Sequence, residues 1–151
     1  MAIRCGAHSF PGYSSVDRGL VIDLGRVNQV RVDPQAKRAR VQGGALIRDL
    51  DTATQRYGLA VPSGFVSHTG VTGPTLGGGM GWLNRQAGLS IDNLVAADVV
   101  VADGSILRAA ENENPDLFGR SVAGAAISVW SLSWSSGCTR SAPWEPVKSF
   151  V

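Results

Sequence analysis

The feature that most constrains the fold of this chain is a glycine-dense stretch from Thr69 to Trp82, which holds six glycines in 14 residues. Glycine loses more backbone entropy on ordering than any other residue, so this density indicates a close approach of the backbone to another group. The stretch also contains Leu76 and Met80, large apolar side chains that flexible linkers avoid. The composition therefore predicts a ligand loop suited to a flat ring or a pyrophosphate. The alternative interpretation is a flexible glycine linker.

A second candidate segment runs from Arg4 to Gly12 and reads Arg-Cys-Gly-Ala-His-Ser-Phe-Pro-Gly. Gly6 and Ala7 leave backbone N–H groups open, as an anion-binding nest does. The guanidinium of Arg4 suits a phosphate, and His8 places a nucleophilic imidazole in the same loop. The alternative interpretation is a turn whose histidine is only hydrogen-bonded, because short motifs specify function loosely.

Other polar residues have simpler interpretations. His68 lies near the glycine-dense stretch, but a loop histidine is more often only solvated. Cys5 is expected to be a small buried residue, and Asp92 with Asn93 is expected to form a turn before a strand. No Ser-His-Asp order and no metal-ligand spacing stands out. The sequence therefore assigns neither a metal site nor a catalytic residue.

Composition narrows the class of protein. The length of 151 residues fits about one domain, and a net charge of +2 gives no electrostatic reason to expect nucleic acid or an anionic membrane as partner. No apolar run of transmembrane length and no signal peptide is visible, so the expected location is cytoplasmic. Cys5 and Cys138 make no disulfide framework.

Hydrophobic periodicity predicts a mixture of strands and helices. A short apolar run at 20–24 and alternation across 29–42 predict a strand and a hairpin. A helix is predicted from Ala45 to a stop at Gly58. Its predicted apolar face consists of Leu46, Leu50, Ala53 and Tyr57. Further strands are predicted at 59–61, 94–102 and 105–109, and a helix start at 115–118.

Taken in series, these segments resemble the FAD-linked oxidases related to berberine bridge enzyme. The resemblance rests on motifs in the family's order at 4–14, 21–24, 41–44, 70–82, 88–94, 101–104 and 114–118. It covers nearly all of residues 1–118. It implies an α+β fold, an FAD-binding domain of the p-cresol methylhydroxylase (PCMH) type. The domain would be incomplete, since full-length relatives also have an N-terminal segment and a substrate domain.

The resemblance also implies roles for individual residues. His8 matches the histidine bonded covalently to the 8α-methyl group of the flavin. Val66 stands where some relatives carry a second, cysteinyl link, so a single link through His8 is implied. The residues matching the pyrophosphate loop are Arg4, Gly6, Ala7 and Ser9. The residues matching the loop along the cofactor are Thr69, Gly70, Gly73, Thr75, Gly77 and Gly78.

Composition changes sharply after Phe118. Residues 1–118 hold 11 of the 12 acidic residues, whereas residues 119–151 hold three of the four tryptophans. We therefore divide the chain into a partial FAD-binding domain, 1–118, and a divergent tail, 119–151. We hypothesise a one-base deletion near codon 119, because residues 119–132, with wobble bases left free, can be decoded in a shifted frame as W-A-I-R-G-G-G-G-N-F-G-V-V-T, the expected family continuation. The nucleotide sequence tests this hypothesis.

The implied function is FAD binding within an oxidase that passes hydride from a small-molecule substrate to the flavin and then to oxygen. The alternatives are a non-enzymatic flavin-binding remnant or inactive fragment, and a generic nucleotide-binding module without redox chemistry. The sequence names no substrate, no catalytic base and no oligomeric state.

Overall fold

The computed structural model describes residues 1–122, 130–137 and 139–140 of the chain. The strands are β1 Ala2–Arg4, β2 Val21–Asp23, β3 Val30–Asp33, β4 Arg38–Gln42, β5 Leu59–Ala60, β6 Leu94–Val100, β7 Ile106–Ala110, β8 Trp130–Gly137 and β9 Thr139–Arg140. The helices are α1 Ile47–Gln55, α2 Thr72–Leu76, α3 Asn84–Ala87 and α4 Pro115–Val122, with a 3₁₀ turn at Ile91–Asn93.

The largest sheet has five antiparallel strands in the order β3-β4-β8-β6-β7. The hairpin predicted over 29–42 is confirmed, since β3 pairs with β4 and Val30 stands opposite Val41. Alternation in β4 turns Ala39 and Val41 into the core, where both are 0% exposed. The strands predicted at 94–102 and 105–109 are also confirmed, and they pair as a hairpin with Ala97 opposite Ala109.

Strand β8 lies between β4 and β6, so backbone from the tail defined by composition supplies the middle strand of this sheet. Trp134 stands opposite Val41 on one side and opposite Ala97 on the other. The ladder with β6 is irregular between Asp98 and Val99. The frameshift hypothesis concerns codons and stays a prediction; part of its range and Cys138 lie outside the described residues.

Helix α1 packs on this sheet through a face that differs from the predicted one. Its buried residues are Ile47, Leu50 and Thr54, whereas the predicted Tyr57 is 52% exposed. Tyr57 lies beyond the last helical residue, so it does not share the helical face. Thr54 is buried, and its hydroxyl is satisfied because Oγ1 donates a hydrogen bond to the Leu50 carbonyl at 3.0 Å.

The ends of α1 follow local chemistry. The Asp49 carboxylate accepts a hydrogen bond from the Leu46 N–H at 2.9 Å, which satisfies a backbone donor at the helix start. The predicted stop is confirmed, because Gly58 adopts φ +63°, a left-handed conformation favourable for glycine. The strand that follows, β5, pairs with β9.

A two-stranded parallel sheet fixes the position of the N-terminal segment. Strand β1 pairs with β2, and Ile3 stands opposite Ile22. The pairing continues past the strands, since the Leu24 N–H donates to the Arg4 carbonyl at 2.8 Å. Residues 5–9 therefore leave this small sheet from a defined position. In the described part of the chain, no helix is long and apolar enough to cross a membrane.

Candidate functional site

The glycine-dense stretch is held on the segment that leads into α1. The Val71 N–H donates to the Ala45 carbonyl at 2.9 Å, and the Ile47 N–H donates to the Thr69 carbonyl at 3.0 Å. The Arg48 N–H donates to the Ser67 carbonyl at 2.9 Å. Val71 is buried in the main core. The stretch is therefore an ordered loop built onto the domain, and the linker interpretation is wrong.

The opening loop, residues 4–9, meets the glycine-dense stretch directly. A Cβ atom on Gly6 would overlap the backbone nitrogen of Gly70, and a Cβ atom on Gly70 would overlap the Cys5 sulfur. The Cys5 thiol in turn donates to the Ala45 carbonyl at 3.7 Å. These contacts bring together the two segments that the sequence singled out, although Gly6 and Gly70 lie 64 positions apart in the sequence.

The contact continues to two imidazole rings. The ring centroids of His8 and His68 are 4.7 Å apart, with an angle of 56° between the ring planes. Both residues are exposed. The expectation that His68 is only solvated is wrong, because its ring contacts His8. No sequence signal pairs the two histidines until the two loops are known to meet.

The glycines of the site fall into two groups, according to whether other protein atoms lie close to them. Besides Gly6 and Gly70, a Cβ atom would overlap the Ser90 side chain at Gly79 and the Ser63 carbonyl at Gly81. At these positions the close neighbour is the protein itself. At Gly73, by contrast, no atom of the described residues lies within 4 Å of a Cβ position. Close internal packing thus accounts for three of the six glycines in the stretch, and Gly73 is one where the backbone faces open space.

The sequence predicts an anion-binding nest at Gly6 and Ala7, and the backbone there is compatible with one. Ala7 adopts φ 57°, an uncommon left-handed conformation for a residue with a side chain. Within the described residues, the N–H groups of Ala7 and His8 take part in no hydrogen bond. The Ser9 hydroxyl accepts a hydrogen bond from the Tyr13 N–H at 3.1 Å and so closes the loop. Open donors in a left-handed turn are typical of anion-binding backbone.

The side chains of Arg4, Thr69 and Thr75 already have partners within the protein. The Arg4 guanidinium pairs with Asp23 at 2.9 Å, with both side chains 50% exposed. The Thr69 hydroxyl donates to the Val66 carbonyl. The Thr75 hydroxyl, buried inside α2, donates to the Val71 carbonyl at 2.8 Å. Their side chains thus support the loop backbone, and Gly77 and Gly78 close α2, with Gly78 at φ +102°.

An exposed aromatic pair flanks the glycine-dense stretch. The rings of Phe65 and Trp82 meet edge to face at 5.0 Å between centroids. Phe65 is 51% exposed and Trp82 is 81% exposed. Large apolar side chains left in solvent commonly mark a surface that another group covers. The sequence places Trp82 at the end of the glycine-dense stretch but does not identify Phe65 as its partner.

Burial affects the ionisation of the Cys5 side chain in the opening loop. Burial raises the pKa of the Cys5 thiol above its ordinary value of 9.0, although hydrogen bonds from Thr72 oppose this shift. Among the residues described, no group of three or more His, Cys, Asp or Glu could hold a metal ion. Asp92 and Asn93 serve the turn as predicted, with Asp92 accepting from the Leu89 N–H at 2.8 Å.

Two shallow grooves lie elsewhere. One, of about 240 Å³, is lined by Gln29, Arg31, Arg40 and Gln42, and the other, of about 340 Å³, is lined by residues of β3 and α1 among others. Neither includes a residue of the two loops. We place the site at the loops because the open backbone donors and the two imidazoles lie there, whereas the grooves are lined by ordinary surface side chains.

An exposed imidazole, open backbone donors and exposed aromatic rings on one α+β domain are features that suit a large, partly flat, anionic cofactor. A family model described as an FAD binding domain matches residues 1–110. The chain therefore belongs to the FAD-binding domains of the FAD-linked oxidases, the berberine-bridge-enzyme-like group. FAD is accordingly the cofactor of this domain.

A curated relative and a solved structure, both FAD-linked oxidoreductases or oxidases by name, are similar to this chain. The chain is 47% identical over 113 residues to the FAD-linked oxidoreductase pgmH of Aspergillus terreus, covering 75% of this chain and 23% of that protein. It is 32% identical to 6-hydroxy-D-nicotine oxidase from Arthrobacter nicotinovorans, with a TM-score of 0.88 over 92% of this chain and 31% of that one.

A third relative bears on the cofactor linkage. Glucooligosaccharide oxidase from Acremonium strictum, whose flavin is described as 6-S-cysteinyl, 8α-N1-histidyl FAD, is 30% identical, with a TM-score of 0.81 over 92% of this chain and 30% of that one. These likenesses establish the PCMH-type α+β fold. The chain spans about a quarter of the length of the curated relatives that it matches.

Proposed function

We propose that this chain carries FAD attached through His8 and forms part of an oxidase that takes hydride from a small molecule. The observation that supports this most is the placement of the exposed His8 imidazole beside the glycine-dense stretch, with His68 at 4.7 Å. A nucleophilic side chain must be accessible if it is to form a bond with a cofactor.

The residues of the opening loop fit a dinucleotide. The open N–H groups of Ala7 and His8 suit the pyrophosphate, with Gly6 bringing the backbone close to the second loop. Arg4 adds positive charge, moderated by its pair with Asp23. We propose that Ser9 contributes by closing this loop over residues 9–13.

The glycine-dense stretch would hold the rest of the cofactor through main chain. Gly73 faces open space and would allow contact with backbone. Gly70, Gly77 and Gly78 would shape the loop. The hydroxyls of Thr69 and Thr75 donate to main chain, so their role would be to keep the loop in place. FAD, when bound, supplies the hydride acceptor.

A single attachment site is proposed. Val66, which stands where relatives with a cysteinyl link would carry a thiol, is an exposed aliphatic residue that cannot form such a bond. An 8α-histidyl bond retains the cofactor and raises its reduction potential. The relatives named above are oxidases of 6-hydroxynicotine and of glucooligosaccharides, so we propose a small organic substrate with an oxidisable carbon.

The test is covalent flavin on a mapped peptide. The 151-residue chain is expressed, incubated with FAD, denatured in acid and digested with trypsin. We expect flavin on peptide 5–18, which contains His8, and not on peptide 57–85, which contains His68. His8→Ala should abolish the acid-stable flavin, while Ser67→Ala, a neighbouring exposed residue in the other loop, should retain it.

The redox step has its own experiment. Hydrogen peroxide formation is measured with 6-hydroxynicotine and with an oligosaccharide, against the His8→Ala protein. Peroxide above that control supports the oxidase. Attached flavin without peroxide favours the alternative of a non-enzymatic flavin-binding remnant, and flavin absent from every peptide contradicts the proposal of attachment.

A further inference from the structure

The two histidines of this chain occupy an arrangement that ordinary packing does not require. The chain has only His8 and His68, and their rings lie 4.7 Å apart although both are exposed. Exposed polar side chains gain little from contact with each other and are normally left to water. Their contact therefore calls for an explanation in terms of what the rings do.

The backbone fixes His68 on both sides. On one side the Ser67 carbonyl accepts a hydrogen bond from the Arg48 N–H at 2.9 Å, and on the other the Thr69 carbonyl accepts from the Ile47 N–H at 3.0 Å. The Thr69 N–H also donates to the Val66 carbonyl at 3.1 Å. The imidazole of His68 is thus presented from a loop held on the first turn of α1.

We infer that His68 is the positioning residue that prepares His8 for attachment to the flavin, a role that rests on the function proposed above. A neutral imidazole has one nitrogen that donates and one that accepts a proton. Of the ionisable side chains in the described residues, His68 is the one whose ring contacts the His8 ring. It would orient that ring and take up its proton.

The chemistry of attachment balances with these groups. A C–N bond forms between an imidazole nitrogen of His8 and the 8α-carbon, while one C–H bond of the methyl group and the N–H bond of His8 break. The two electrons of the broken C–H bond reduce the flavin, and the proton of that bond passes to the reduced flavin or to solvent. The proton from His8 passes to His68 and then to solvent or the reduced flavin. Molecular oxygen reoxidises the flavin and becomes hydrogen peroxide.

The experiment follows the rate of attachment in the full chain after addition of FAD. Acid-stable flavin fluorescence on peptide 5–18 is measured against time, and non-covalent FAD binding is measured separately by fluorescence quenching. His68→Phe keeps a ring of similar size without nitrogens. We expect it to bind FAD but to attach it on the order of a hundredfold more slowly, a typical loss for a missing proton acceptor. Ser67→Ala is the matched control and should attach FAD at the wild-type rate.

Chemical rescue separates this role from a merely structural one. His68→Ala leaves space beside His8, and added imidazole should restore much of the attachment rate. Imidazole should not restore attachment to His8→Ala. Attachment by His68→Phe at the wild-type rate, or no effect of imidazole on a folded His68→Ala protein, overturns the role of His68 and leaves His8 as the attachment site. Absence of acid-stable flavin in the wild-type chain overturns the proposed function itself.

Discussion

Gly6 lies against Gly70 so closely that a side chain on either residue would enter the other loop. A Cβ atom at Gly6 would overlap the Gly70 backbone nitrogen, and one at Gly70 would overlap the Cys5 sulfur. Because the obstruction is main chain at Gly6, it cannot be relieved by rotating a side chain. This contact joins the loop that carries His8 to the loop that carries His68.

Gly6→Ala should therefore destabilise the domain by about 1–3 kcal/mol, the usual cost of overpacking. Gly73→Ala is the matched control, since that position faces open space among the described residues and lies within α2. Alanine there should leave stability unchanged or raise it by up to about 1 kcal/mol. Urea unfolding measures both. Equal stability of the two variants would contradict the packing of Gly6 on Gly70.

Arg4 and Asp23 form an ion pair, and substitutions at the two residues should change FAD affinity in opposite directions. Arg4→Gln removes positive charge from the proposed pyrophosphate loop and should weaken FAD binding. Asp23→Asn removes the opposing charge while keeping an oxygen for its 2.9 Å bond from the Gly25 N–H, so binding should tighten. Both effects should shrink at high salt. Because the pair is half exposed, stability should change by no more than about 1 kcal/mol in either variant. Fluorescence titration with FAD at two salt concentrations tests the opposite signs.

Thr72 ties the glycine-dense stretch to the turn that follows β4. Its buried hydroxyl donates to the Gly43 carbonyl, so Thr72→Val should leave that carbonyl unsatisfied and cost about 1–3 kcal/mol. Thr72→Ser restores the hydroxyl and should recover most of the loss. Thermal unfolding measures the stability of the two variants. A valine variant as stable as the serine variant would show that the hydrogen bond contributes nothing to stability.

The Cys5 thiol should be less acidic in the folded protein than in the unfolded chain. Burial raises its pKa above 9.0, so alkylation of native protein should be slow at pH 8 and should accelerate on unfolding. The folded state holds the proton to higher pH, so this contribution to stability is complete below the unfolded pKa and is lost as pH rises through the folded pKa. Measurements in a Cys138→Ser background isolate Cys5. Equal alkylation rates for native and unfolded protein would contradict the shift.

Local features of this domain follow from the sequence alone. The alternation of polar and apolar residues predicts the β3–β4 hairpin, and Gly58 predicts the end of α1, because both depend on preferences of neighbouring residues. The open nest around Ala7 is likewise a property of a few adjacent residues. The order of short motifs along the chain carries the family resemblance, and with it the cofactor.

Tertiary structure decided what those features contact. The face of α1 includes Thr54 and not Tyr57 because burial depends on what the helix packs against and where it stops. Three of the six glycines of the dense stretch pack closely against protein, whereas Gly73 faces open space. His68 reaches His8 only because α1 holds one loop against the other. Contacts between residues far apart in the sequence depend on the packing of the whole domain, and no short window of sequence contains that information.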